Sequence, residues 1–197
     1  RWAASVTAVD RSTEALALKL GARGSRFPVR SASAFWFPQN ARPAGQNAAG
    51  VGTRMTAAGQ PIDVLINNAG ILGDVPAQKY GSYDFDVYDQ VADVNLKGPL
   101  RVTEAFLDNV AASRMKKVMN MSSAVGSIGM TFGGQVFYRS TKAGLNMAMR
   151  TLAKELKRDP DPARKAIVIG LINPGIVDTG FAKNVPVPMI TARESAE

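Results

Sequence analysis

The 197-residue chain contains no cysteine and no histidine. Without cysteine there is no disulfide and no thiolate metal site, which fits a reducing compartment such as the cytoplasm. Without histidine the commonest general base and metal ligand are missing, so serine–histidine hydrolysis is excluded and no metal site is expected. Acidic residues are also scarce in one region: none occurs between Glu14 and Asp63. Residues 1–60 carry eight basic and two acidic side chains, against sixteen and fourteen in residues 61–197. The arginines of the basic part stand singly among Ala, Gly and Pro, with no nucleic-acid-binding motif, so nucleic acid is not an expected partner. No run of eighteen apolar residues occurs, so no membrane span is expected. The first residues, Arg1-Trp2-Ala3-Ala4, lack a signal-peptide pattern.

What is present reads as one α/β domain over residues 1–197. Ser5-Val6-Thr7-Ala8-Val9 is a short apolar strand ending at Asp10, and residues 13–20 follow as a helix. Asp10 could take the ribose hydroxyls of a dinucleotide, and Arg11 its 2′-phosphate; a helix-capping acid beside a surface arginine is the structural alternative. Residues 21–60 carry little periodicity, with a possible strand at Arg26-Phe27-Pro28-Val29 and a weak helix over 46–58. Phe35-Trp36-Phe37 is read as core.

From Pro61 the pattern sharpens. Ile62-Asp63-Val64-Leu65-Ile66 is a buried parallel strand running into Asn67-Asn68-Ala69-Gly70. Ligands of open α/β sheets bind past such carboxyl ends. Residues 83–107 form a helical pattern interrupted at Asn95-Leu96-Lys97-Gly98-Pro99, where proline resets the helix. Lys117-Val118-Met119-Asn120-Met121 is the next strand and delivers Ser122 and Ser123. Tyr138 and Lys142 stand four apart at the head of a helix, hence on one face and about 6 Å apart along its axis. A cation beside a phenol favours the phenolate, which would suit Tyr138 to proton exchange. Leu145, Met149, Leu152 and Leu156 form a core stripe. Ala143 and Met147 are left for a partner subunit. Residues 166–172 form a last strand before Asn173-Pro174-Gly175, and the tail from Phe181 reads as a loop. Alternating strands and helices predict a Rossmann-like, three-layer, doubly wound parallel sheet.

Asn67-Asn68-Ala69-Gly70, Asn95, Ser123, Tyr138-x-x-x-Lys142 and Pro174-Gly175-x-Val177-x-Thr179 stand in the order of the short-chain dehydrogenase/reductases. The wording around Ser123 and Tyr138 resembles the carbonyl-reductase branch that includes the sniffer and C-factor proteins. The resemblance covers residues 60–182 well and 5–20 loosely. It implies an NAD(P)-dependent oxidoreductase interconverting a carbonyl and an alcohol, assembled as a homodimer or homotetramer. Tyr138 would be the general acid/base, and Ser123 (or the adjacent Ser122) would hold the substrate oxygen. Lys142 would lower the Tyr138 pKa and bind the nicotinamide ribose, and Asn95 would hold a relay water. Asn67, Ala69 and Gly70 would line the cofactor; Pro174, Gly175, Val177 and Thr179 would meet its nicotinamide and phosphate side. The substrate would be set by loops at 73–82 and 181–190.

Two departures qualify that expectation. The family's first strand and glycine-rich phosphate turn do not stand upstream of Asp10, since residues 1–9 contain no glycine. Arg30 stands near where the family usually has an adenine-binding aspartate. Residues 1–197 therefore read as an N-terminally truncated copy of a longer enzyme with strand edges left open, and residues 21–60 as a frame-shifted segment. The alternative is a catalytically inactive Rossmann-like binding protein. An epimerase or dehydratase is disfavoured, since those enzymes carry a further substrate region.

Overall fold

The structure is a computed structural model describing residues 31–33, 61–177 and 188–196. Among the described residues four parallel strands form one sheet in sequence order: β1 (Ser31–Ser33), β2 (Val64–Asn67), β3 (Lys117–Met121) and β4 (Val168–Ile172). β2 and β3 are buried because their apolar residues face cover on both sides, as parallel strands require. The expectation of an open edge on β2 is corrected: Ser31 to Ser33 pair with Val64 to Ile66. A row of unpaired backbone groups beside a buried strand is costly, and β1 satisfies it. The expected strand and helix at residues 5–20, the one at 26–29, the helix over 46–58 and the cluster Phe35-Trp36-Phe37 lie outside the described residues.

Helix α1 (Phe85–Ala92) opens at Asp84, whose carboxylate accepts from the N–H of Asp86 and Val87. It runs through a π-helical turn at Asp93–Lys97 into α2 (Gly98–Ala111). The break falls where the sequence put it. Pro99 has no N–H to offer the Asn95 carbonyl four residues back, and the turn widens rather than kinks. Helix α3 (Val136–Leu156) begins two residues ahead of Tyr138. A short helix α4 (Pro162–Lys165) precedes β4.

One core cluster lies on the face of the sheet that presents Leu65 and Val118. Leu65 and Val118 meet Val102, Phe106 and Val110 of α2 and Leu156 of α3, all 3% exposed or less. The predicted stripe is core: Leu145, Met149 and Leu156 are buried. Polar ties reinforce the strands from within. Asn67 Nδ2 donates to Asn120 Oδ1 at 2.8 Å and to Thr103 Oγ1 at 3.0 Å, and Asn120 Nδ2 donates to the Gly170 carbonyl.

Residues 30–173 form one compact unit, and residues 174–197 belong to another. In the second, Val177 and Ile190 form a parallel bridge. Gly175 has φ +82°, and a Cβ there would lie 2.8 Å from Ile190 Cδ1. The tail predicted as loop contains helix α5 (Ala192–Ala196). Thr191 and Glu194 form its capping box: Glu194 N–H donates to Thr191 Oγ1, and Thr191 N–H to Glu194 Oε2.

Candidate active site

The carboxyl ends of β2 and β3 and the first turns of α3 bring together four of the expected residues. Ser123 leaves β3 as the N-cap of a single 3-10 turn at Ala124–Gly126, its Oγ accepting from Val125 N–H. Gly126 lets that turn sit against α3: a Cβ there would lie 3.0 Å from Lys142 backbone and side-chain atoms. The Tyr138 hydroxyl shares a hydrogen bond with the Ser123 side chain. Ser122, the adjacent alternative, is turned elsewhere; its Oγ donates to Asn146 Oδ1 at 2.5 Å.

Lys142 is 4% exposed and donates to the Met121 carbonyl at 2.8 Å. Its Nζ lies 5.7 Å from the Tyr138 ring centroid. Burial brings its pKa down to about 8. Burial also pushes the Tyr138 phenol above its ordinary value, while the Ser123 hydrogen bond pulls it down. In the chain alone, desolvation of the phenol outweighs the downward pull expected of a neighbouring lysine.

Asn95, in the π turn, is fully buried. Its Oδ1 accepts from Ile71 N–H and its Nδ2 donates to the Ile71 carbonyl, both at 2.8 Å, with a third bond to Thr141 Oγ1. Asn95 thereby anchors the chain just after Gly70. A Cβ on Gly70 would lie 3.5 Å from both Asn95 Oδ1 and Lys142 Nζ, so Gly70 adjoins the lysine. Asn67 is 4% exposed with its amide spent on the strand ties, whereas Ala69 and Gly70 are half-buried. A cavity of about 400 Å³ opens beside Ser123, walled by Gly126, Ile128, Met147, Ile172 and Asn173. Pro174, Gly175 and Val177 lie in the second unit, and Asp10, Arg11 and Thr179 lie outside the described residues.

Sequence reasoning missed Gln78. Its buried Oε1 accepts from the N–H of Phe137 and Tyr138, capping the helix that carries the tyrosine. No local signal marks it. Asn120 was also missed, although a lone amide within a buried apolar strand was a visible cue.

The family model for short chain dehydrogenases matches residues 3–188, and the chain belongs to that family. It is 38% identical over 120 residues to C-signal of Myxococcus xanthus, covering 60% of this chain and 68% of that protein. It is 36% identical over 135 residues to a 3-oxoacyl-[acyl-carrier-protein] reductase of Thermotoga maritima, covering 68% of this chain and 49% of the reductase. The chain thus spans about half the length of such reductases. Among solved structures, it resembles a Burkholderia multivorans short-chain dehydrogenase/reductase with bound NADP: TM-score 0.63, 27% identity, 76% of this chain and 60% of that one. It also resembles an NADPH-bound carbonyl reductase from chicken fatty liver: TM-score 0.61, 27% identity, 75% and 59%. The fold is the Rossmann-like α/β sheet of that family. Among the described residues no helix is long and apolar enough to cross a membrane.

Proposed function

We propose that the chain belongs to an NAD(P)-dependent reductase that interconverts a carbonyl and an alcohol, with Tyr138 as its general acid/base. The observation that carries this reading is the Ser123–Tyr138 hydrogen bond beside a buried Lys142. The residues also fit the nicotinamide-ribose end of a dinucleotide. Lys142 spends one N–H on Met121 and has two left for a ribose diol, and Gly70 leaves the approach to that amine uncrowded. Ala69, Gly70 and the backbone of Asn67 belong to the same proposed contact; the resemblance alone assigns Pro174, Gly175, Val177 and Thr179 to the nicotinamide and phosphate side. Asp10 or Arg11 would serve at the adenosine ribose, and NADP-bound structural relatives favour the phosphorylated cofactor.

When bound, the nicotinamide supplies the hydride. The chain's own task is the proton. Ser123 Oγ would donate to the substrate oxygen and fix it beside the Tyr138 hydroxyl. Tyr138 would then release its proton to that oxygen during reduction and retake one during oxidation. A raised phenol pKa suits the reductive direction, since the proton-bearing form predominates at neutral pH. Lys142, with its pKa near 8, exchanges a proton readily in that range and would help refill the tyrosine. The Asn95 side chain is fully engaged with Ile71 and Thr141, so a relay water would rest on its backbone carbonyl. Substrates would be small carbonyl or alcohol compounds, and the resemblance suggests a homodimer or homotetramer.

Fluorescence titration of the whole chain with NADPH and NADH tests the reading, followed by turnover on a ketone and aldehyde panel. Saturable NADPH binding with reduction of at least one carbonyl is expected. No binding at millimolar cofactor would favour the inactive, Rossmann-like binding protein instead.

A further inference from the structure

A second cavity, of about 750 Å³, lies between the segment following β2 and the approach to α3. Val75, Lys79, Tyr80, Tyr83, Phe132 and Arg139 line it, and neither Ser123 nor Tyr138 does. Its size suits a small organic ligand.

The unusual feature is Arg139. The residue is 8% exposed, its Nε donates to the Gly134 carbonyl at 2.9 Å, and its buried Nη1 has no hydrogen-bond partner. No carboxylate lies within ion-pair distance of it among the described residues. The cavity wall contains no Asp or Glu. The two nearest acids in sequence on that wall's segment are committed as caps: Asp74 to the Ala77 N–H, Asp84 to those of Asp86 and Val87. A buried guanidinium nitrogen without an acceptor is unfavourable, because its lost hydration is not replaced.

What covers it is removable. The Phe132 ring lies 4.1 Å from the guanidinium carbon, yet Phe132 is 84% exposed and so is held by little else. Lys79, exposed on the same wall, adds a second positive charge. The wall also holds the N-terminal end of the 21-residue helix α3, whose dipole favours negative charge. Tyr80, Tyr83, Val75 and Val136 give the wall an apolar part, beside the uncharged polar Gln78, Thr131, Gln135 and Ser140.

We propose that this cavity binds a carboxylate- or phosphate-bearing ligand with an apolar body, anchored on the Arg139 guanidinium once Phe132 swings aside. The cavity shares Gln78 and the 73–82 loop with the surroundings of Tyr138, but neither Ser123 nor Tyr138 lines it, and anion binding there does not depend on their chemistry.

Isothermal titration of the full chain tests it with 4-phenylbutyrate, phenyl phosphate and the neutral 4-phenylbutanamide, and with inorganic phosphate as the bare anion. Both aromatic anions should bind saturably, and the amide at least tenfold more weakly. The stronger of the two anions names the preferred head group. Arg139→Met should weaken both anions at least tenfold and leave the amide within twofold. Phe132→Ala removes only an exposed ring and should raise the affinity for inorganic phosphate at least threefold. Equal binding of amide and anions, anion binding unmoved in folded Arg139→Met, or no saturable binding at all would overturn the proposal. Should Arg139→Met fail to fold, an unchanged phosphate affinity in Phe132→Ala would overturn it.

Discussion

The side-chain carbonyl of Gln78 accepts a hydrogen bond from the backbone N–H of Tyr138 at 3.1 Å. It accepts a second from Phe137, while its amide donates to the carbonyls of Leu72 and Asp74. One buried amide thus joins the chain beyond Gly70 to the first turn of the helix carrying Tyr138. Gln78→Leu keeps the apolar volume and removes all four bonds. Unfolding in urea should show a loss of about 3 kcal/mol, since each stranded buried group costs about 1–3 kcal/mol and some recover water. A loss under 0.5 kcal/mol would mean the cap is unimportant.

Ser123 acts on Tyr138 in a direction that a pH profile can read. Its hydrogen bond pulls the phenol down against the upward push of burial. Ser123→Ala removes the pull, so the Tyr138 pKa rises further. In alcohol oxidation, which needs the phenolate, the ascending limb of the rate profile should move to higher pH. A limb that stays in place would separate Ser123 from the titrating group.

Tyr138→Phe removes the hydroxyl alone. Carbonyl reduction should fall by about 10²–10⁴-fold, the usual share of a general acid. NADPH affinity by fluorescence should stay within twofold, because the ring and its packing against the buried lysine remain. A variant with near-normal rates would mean that the proton comes from another group.

The pair Tyr138–Lys142 was legible because helical spacing alone puts both on one face. Strand β3 matched its expected bounds, since an apolar run between polar flanks admits little else. The start of α3 was legible to within two residues, but what caps it was not. Its N-cap, Gln135, has φ +50° and gives no side-chain cap; the cap comes from Gln78, 59 residues from Phe137. Long-range capping leaves no local pattern. The edge strand Ser31–Ser33 was equally silent, because three small residues carry no periodicity and owe their state to the β2 edge. The Thr191–Glu194 box, by contrast, stood in the sequence as Thr-x-x-Glu and was passed over inside a proline-bearing tail.

Lys142 makes stability depend on pH. Burial lowers its pKa from 10.5 to about 8, so below pH 8 the amine is charged in both folded and unfolded chains and its desolvation cost is fully felt. Between pH 8 and 10.5 the unfolded chain holds a proton that the folded chain has lost, so stability rises with pH. Relative to Lys142→Met, the wild type should gain about 1.5 kcal/mol in urea unfolding between pH 8 and 9.5. A difference that stays flat across that window would contradict the buried, readily neutralised amine.

Asn95 offers the sharpest separation of shape from hydrogen bonding, through Asn95→Asp. The side chain is fully buried, accepting from Ile71 N–H and donating to the Ile71 carbonyl. The substitution keeps the shape and the acceptor but replaces the donor with a second acceptor facing a carbonyl. The introduced carboxyl is stable there only when protonated, so burial raises its pKa above the ordinary value of about 4. A group with a raised folded pKa contributes stability at low pH that is lost as pH rises. At pH 8 the variant should therefore be less stable than wild type by about 3 kcal/mol, from the two lost Nδ2 bonds, to the Ile71 carbonyl and Thr141 Oγ1, and one desolvated charge. At pH 5 much of the deficit should be recovered, because the protonated carboxyl can donate to Ile71. Asn95→Ala, with no titratable group, should show a deficit that is the same at both pH values. If the aspartate variant tracks the alanine variant across pH, the Ile71 carbonyl is not what Asn95 is there to satisfy.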